Sequence, residues 1–336
     1  MQKKTKSILS YVFWMAVAAV LVYFCLRNID WNQFFQALGL CRWGYVIAAM
    51  ALGLLSLFLR GLRWRMLITP IDPGTSVLTC FNAYNIGSVT NIVLPRAGEV
   101  VRLAYIVKHS SRDKDGKRIM SADKVFGTVV IERAWDIVFV AVLATLFTVL
   151  NWEAFGSFFA DMGLAMGSRK GLVWLLSGLL LLVPVFILLA RKLQHKGGIW
   201  ASAWHFLEGI GKGLGTFRHM KNGWVFILLT VFIWVFYWLI SALILLALSD
   251  IPEYVSINLT DDALFLSIVG SMSSLVPVPG GFGAYHGLVA GALASIWDIP
   301  MSTGMVYATL NHESQIIIQA IAGIVSYIHE SFFHKA

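Results

Sequence analysis

Apolar sequence runs almost from one end of this chain to the other, and that leaves few folds open to it. Residues 8–26, 43–60, 125–150, 172–190, 223–248 and 304–328 are each dominated by apolar side chains. A helix needs about 20 such residues to cross a hydrocarbon layer. Of the 336 residues 58% are hydrophobic and 13% charged, against about 25% charged in soluble domains. No polar block is long enough to form a soluble domain. The expected fold is therefore all-α and polytopic, with 1–336 as a single integral membrane domain of about six spanning helices.

Lys3, Lys4 and Lys6 before the run 8–26 resemble a signal peptide. The run is too long for one, and Arg27-Asn28-Ile29-Asp30 is not a small-residue cleavage site. An uncleaved first helix is expected. Two other apolar regions are interrupted. Region 77–107 contains Asn82, Asn85, Asn91 and Pro95, and region 263–297 contains the run PVPGGFG at 277–283.

Loop charges orient the chain, because Lys and Arg collect on the cytoplasmic side. The N-terminal lysines, then Arg60, Arg63 and Arg65, then the basic loops 108–124 and 191–222, are expected inside. The acidic stretch 249–262 is expected outside. Regions 77–107 and 263–297 must then enter and leave on one side, as re-entrant helical hairpins. Both termini are then expected in the cytoplasm. Residues 1–150 and 172–328 each read helix, helix, hairpin, helix, the first starting inside and the second outside. That order is an inverted repeat, and broken segments at matching positions point to a transport site. The halves share no residue-level similarity.

Between the halves, Trp200, Trp204, Leu207, Ile210, Leu214 and Phe217 recur every three or four positions, so 199–219 is expected to be an amphipathic helix in the inner interface. The net charge of +8 gathers in a few loops, which suits anionic lipid and not nucleic acid. Cys25, Cys41 and Cys80 form no CxxC, and apolar packing suits them better than metal binding or a Cys25–Cys41 bridge.

Three groups of residues carry possible chemistry. In NIVLPRAGEVVR, 91–102, Pro95 suits the first position of a helix on which Arg96, Glu99 and Arg102 follow at intervals of three. A charge costs about 2.5–3.5 kcal/mol at the centre of a spanning helix, so these face water, pair, or bind something. Arg is the side chain best shaped for two-point contact with phosphate. A snorkelling charge pair at the interface would explain the same residues. Glu132, Arg133 and Asp136 form the second group, inside the apolar run 125–150, with Arg96 and Arg102 as the expected partners. A structural ion-pair network is the plainer account.

Pro279, Gly280, Gly281 and His286 belong to the third, where Pro and Gly forbid an ordinary helix. Such backbone is tolerated in a membrane where it is buried in protein or lines a watery cavity. Gly283, Gly287 and Gly291 then form a GxxxGxxxG ridge suited to close helix packing. Asp113-Lys-Asp115 reads as a solvated charge run, and His312-Glu313 and His329-Glu330 lack the HExxH spacing of zinc sites. No cofactor or metal is expected, and no GxxxxGK[ST] motif for ATP is present.

The segments NIVLPRAGEVVR, ERAWD and PVPGGFGAYH resemble, in order, three motifs of the flippase-like membrane domain of lysyl-phosphatidylglycerol synthases. The resemblance covers nearly the whole chain. It implies re-entrant helices and the handling of a polar lipid, with Asn91, Arg96, Glu99 and Arg102 on the first motif and Glu132 and Asp136 on the second. His286 departs from it, since the family commonly has an acidic residue there. The expected function is movement of an anionic or phosphate-bearing lipid, in company with envelope-lipid biosynthesis proteins. A membrane-embedded transferase and a non-transporting scaffold are the alternatives.

Overall fold

The computed structural model describes residues 29–94, 97–150, 187–198, 222–254, 257–276 and 278–333, with scattered residues in 15–27 and 200–208. The expected helices 8–26 and 172–190 fall only partly within that set, and the amphipathic segment 199–219 falls mostly outside it. Among the described residues every regular element is helical, apart from an isolated bridge between Arg112 and Arg118. The chain divides into two compact units, 1–125 with 226–336, and 126–225.

The first unit begins its regular structure with α1, Trp31–Gly39. Asp30 starts it by accepting the amides of Asn32 and Gln33 at 2.9 and 3.2 Å, the usual work of an N-cap. This nine-residue helix is absent from the sequence reading. Helix α2, Trp43–Ile68, runs eight residues past the expected end at 60. Arg60, Arg63 and Arg65 therefore lie on the helix and not in a loop, and Arg63 is completely buried. Leu57, Trp64, Leu67 and Ile68 continue the buried face through that stretch, so packing carries the helix on through the charges.

Helices α3, Val77–Val93, and α4, Ala97–Lys108, form an antiparallel hairpin. Ser76 opens α3 by accepting the Thr79 amide at 3.0 Å. The arms touch backbone to backbone. A Cβ on Gly98 would stand 2.0 Å from the Gly87 carbonyl oxygen, and one on Gly87 would stand 2.8 Å from the Gly98 carbonyl oxygen. At about 18 Å, α4 is too short to cross a bilayer.

Helix α5, Ala122–Leu150, leads into the second unit, and α6, Gly223–Ala247, leads back. In the first unit Arg42, at the start of α2, donates its amide to the Ala247 carbonyl at 2.8 Å and forks onto Asp250 with contacts of 2.6 and 2.5 Å. A second hairpin follows. It comprises α7, Asp261–Met272, tight turns at Ser273–Leu275 and Pro279–Gly281, and α8, Ala284–Trp297. Phe265 packs on Trp297 with centroids 5.9 Å apart, and Gly270 lies under the Tyr285 ring, which sets the arms antiparallel.

The last helix, α9, Met301–Phe333, packs against α1, α2, α3 and α8. Its 33 residues extend about 50 Å. A polar seam joins it to α3, where Asn82 meets His329 at 3.2 Å and Asn85 donates to Ser326 at 3.1 Å. Gln315 donates to the Ala49 carbonyl of α2 at 3.3 Å. At the foot of the first hairpin Tyr105 and Lys108 both reach Glu330 at 2.8 Å. Among the described residues α2 and α6 are both long and apolar enough to cross a membrane.

The basic loop after α4 is tied down. Buried Asp72 accepts the Ser111 amide at 2.8 Å, the Ser110 hydroxyl at 3.3 Å and the Gly74 amide at 3.1 Å. Asp113 accepts the amides of Asp115 and Lys117, both at 2.9 Å, so the DxD spacing serves a turn. Burial by itself would raise the pKa of Asp72, but the hydrogen bonds outweigh it and hold the carboxyl below its ordinary value. A depressed carboxylate pKa means that the unfolded chain binds the extra proton, so this clip adds stability above the unfolded value of about 3.9 and loses it as pH falls through the folded value. Asp72→Ala should therefore cost about 1–3 kcal/mol near neutrality. Unfolding curves in detergent should show that difference shrinking as the pH is lowered through 4 toward 3.

Candidate functional site

Pro95 and Arg96 lie outside the described residues, while the groups around them define the head of the first hairpin. Asn91 accepts the Gly98 amide at 2.7 Å. It thereby satisfies a backbone group at the start of α4 that has no partner within the helix. Its carbonyl oxygen is thus engaged in closing the hairpin. Glu99 is half-buried on the first turn of α4, and Arg102 is buried one turn on.

Arg102 sits among aromatic rings. Its guanidinium carbon is 4.7 Å from the centroid of Trp64 and 5.3 Å from that of Tyr84. Arg60 shares Tyr84, to whose hydroxyl it donates, and stands 5.3 Å from the Tyr237 ring. Arg63 faces Phe226 at 5.5 Å and donates to Thr230 at 3.2 Å. Three arginines on α2 and α4 are thus drawn into an aromatic enclosure. A cation–π contact is worth about 0.5–2 kcal/mol, less than the several kcal/mol that burying an ion costs, so ring stacking alone does not account for their position. Arg60 and Arg63 escaped the sequence reading as site residues because they were used only to orient the end of the expected helix 43–60. The signal available was the unbroken apolar spacing of Leu57, Gly61, Trp64 and Ile68 around them.

In the second unit Glu132 is buried on α5, and Arg133 and Asp136 are half-buried on the same helix.

The second break holds its shape through glycine. Gly280, Gly281 and Gly283 have φ of 57°, 79° and 78°, the left-handed region that other residues seldom enter. A Cβ on Gly280 would also meet the Phe282 ring at 2.7 Å. Pro279 is buried. The turn Pro279–Gly281 packs against α3, and a Gly280 Cβ would stand 3.5 Å from the Ile92 carbonyl oxygen. The second break therefore lies beside the last turn of α3. The expected glycine ridge does not form. Gly283 is a turn residue, and among the described residues Gly291 has open space where a Cβ would be and Gly287 meets Cys25 alone, at 3.3 Å.

His286 is not the lone titratable group of this region. It stands 3.0 Å from Glu313 of α9, and His312 is 3.2 Å from the same carboxylate. Beside them is a cavity of about 280 Å³ lined by Cys25, Trp31, Phe34, Phe282, His286 and Glu313 among others. Cys25, Cys41 and Cys80 are free thiols.

The comparison with protein families decides which family the chain belongs to. The family model for the lysylphosphatidylglycerol synthase TM region matches residues 11–323. The chain belongs to this family. No curated protein and no solved structure matches it. As a lysylphosphatidylglycerol synthase TM region it is a membrane protein tied to lipid metabolism or transport, and its regular structure is all-α among the described residues.

Proposed function

We propose that this protein is a flippase-like transporter that moves an anionic or phosphate-bearing lipid across the bacterial cytoplasmic membrane. The observation that carries the reading is the approach of the Gly280 turn to the Ile92 carbonyl, where one broken helical hairpin meets the other. Irregular backbone in a membrane needs protein or water around it, and pairs of broken helices are a recurrent way to build a transport site. Both hairpins are taken as re-entrant and as equivalent parts of an inverted repeat. The headgroup enters between them while the acyl chains stay in lipid. Arg96 and Arg102 hold the phosphate, with Glu99 orienting them. Helix α8 starts at Gly283 with no side-chain cap, so its first amides offer further donors to an anion.

The test uses the purified protein in vesicles containing phosphatidylglycerol labelled with NBD on an acyl chain. Dithionite bleaches only label in the outer leaflet, about half of it in protein-free vesicles. Protein-containing vesicles should lose nearly all their fluorescence, with the lipid recovered chemically unchanged. Bleaching that stops at half, for this lipid and for other anionic phospholipids, overturns the proposal. Recovery of a covalently altered lipid would replace it with the transferase reading.

A further inference from the structure

The group at His286, His312 and Glu313 has a donor geometry that protein hydrogen bonds alone leave in conflict. His312 Nε2 lies 2.9 Å from the Gly280 carbonyl oxygen. A carbonyl only accepts, so Nε2 carries the hydrogen. In neutral imidazole that leaves a lone pair on Nδ1, and Nδ1 is 3.2 Å from Glu313 Oε1. Two acceptors face each other. The same Oε1 is 3.0 Å from His286 Nε2, and His286 Nδ1 makes no hydrogen bond among the described residues. The two histidine side chains are 12% and 11% exposed and that of Glu313 29%, so the conflict is set among largely buried rings. A cation placed among the three atoms relieves it at once.

We propose that His286 Nε2, His312 Nδ1 and Glu313 Oε1 bind a divalent transition metal ion, Zn²⁺ by the chemistry of the donors. One ring nitrogen of each histidine and a carboxylate oxygen of Glu313 lie within 4.8 Å of one another. With metal–ligand bonds of about 2.0–2.2 Å, the edge of a tetrahedral site is roughly 3.3 Å, so contacts of 3.0 and 3.2 Å need only small side-chain shifts to admit the ion. Two imidazoles and one carboxylate, with a fourth position open, form a donor set common to exchangeable Zn²⁺ sites. His286 and Glu313 line the cavity of about 280 Å³, which gives the fourth position room for water or for an oxygen of a bound molecule.

The surroundings hold the ligands as such a site requires. A ligating histidine commonly donates its other N–H to a carbonyl or carboxylate, which fixes the tautomer. The Gly280 carbonyl does this for His312, and the left-handed turn at Gly280 presents it. Tyr285 stacks on the His312 ring at 4.8 Å between centroids. The site differs from HExxH, which takes both histidines from one helix. Here α8 supplies one and α9 the other. The inference goes beyond the transport proposal and stands without it.

The experiment uses the full chain, purified without a histidine tag and stripped with EDTA. Zn²⁺ is titrated against a chromophoric chelator, and bound metal is counted by elemental mass spectrometry. The wild type should retain one tight equivalent. Glu313→Gln, which keeps the shape of the side chain, and His286→Gln should each weaken that equivalent by more than the roughly 10–100-fold typical of losing an outer-shell partner. Co²⁺ in place of Zn²⁺ should give the intense visible bands of four-coordinate cobalt in the wild type alone. Should His312→Ala fold poorly, the other two variants still decide. Wild type and Glu313→Gln binding Zn²⁺ equally, or the wild type holding no tight equivalent, would overturn the proposal. The second result would leave His312 as an imidazolium paired with Glu313.

Discussion

Gly98→Ala should break the first hairpin. The new methyl carbon would stand 2.0 Å from the Gly87 carbonyl oxygen and 2.6 Å from the Asn91 amide carbon. Backbone on one side and a capping side chain on the other leave it nowhere to go. Overpacking commonly costs about 1–3 kcal/mol, and more where backbone must move. Separating the arms would also lose the 2.7 Å bond from the Gly98 amide to Asn91, about 1 kcal/mol more. A loss of about 3 kcal/mol or more is expected, read as a lowered unfolding midpoint in detergent or as failure to accumulate in the membrane. Gly291→Ala is the matched control. Nothing lies within 4 Å of its Cβ position, and alanine is the better helix former by up to about 1 kcal/mol. Equal stability of the two variants would refute the close-packed hairpin.

Arg102→Lys should retain the fold and lose transport. Lysine keeps the positive charge but not the planar fork that stacks on Trp64 and Tyr84, and it contacts phosphate at one point only. A charged hydrogen bond is worth about 1.5–3 kcal/mol, so losing one from the transport step should slow NBD-phosphatidylglycerol movement at least about tenfold. Arg102→Ala should abolish movement and also destabilise the protein, since it empties a buried position between two rings. A folded Arg102→Lys variant with wild-type transport would remove Arg102 from the proposed mechanism and leave it a structural role.

The two broken regions were legible in the sequence because helix breakers are local signals. Pro95 separates α3 from α4, and the run 277–283 separates α7 from α8, close to where the expected interruptions stood. What depends on distance was not legible. His286 and Glu313 lie on different helices, and no spacing rule reaches from one to the other. Arg63 lay beyond the expected helix end at 60, yet packing along one face of α2 buries it. Helix α1 is too short to produce a spanning pattern, and its start signal is a single capping residue, Asp30. The glycine ridge failed because its first member is needed for a turn and its last faces open space.

The seam between α3 and α9 also bears on how the protein is made. Asn82 and Asn85 find their partners 247 and 241 residues further along the chain. At translation speeds of about 5–20 residues per second, α3 waits on the order of 10–50 s before His329 and Ser326 leave the ribosome. Through that interval two amide side chains need water, lipid headgroups or the insertion machinery as stand-ins. A chain stopped after residue 150 would never meet them. The first hairpin matures only when the last helix arrives.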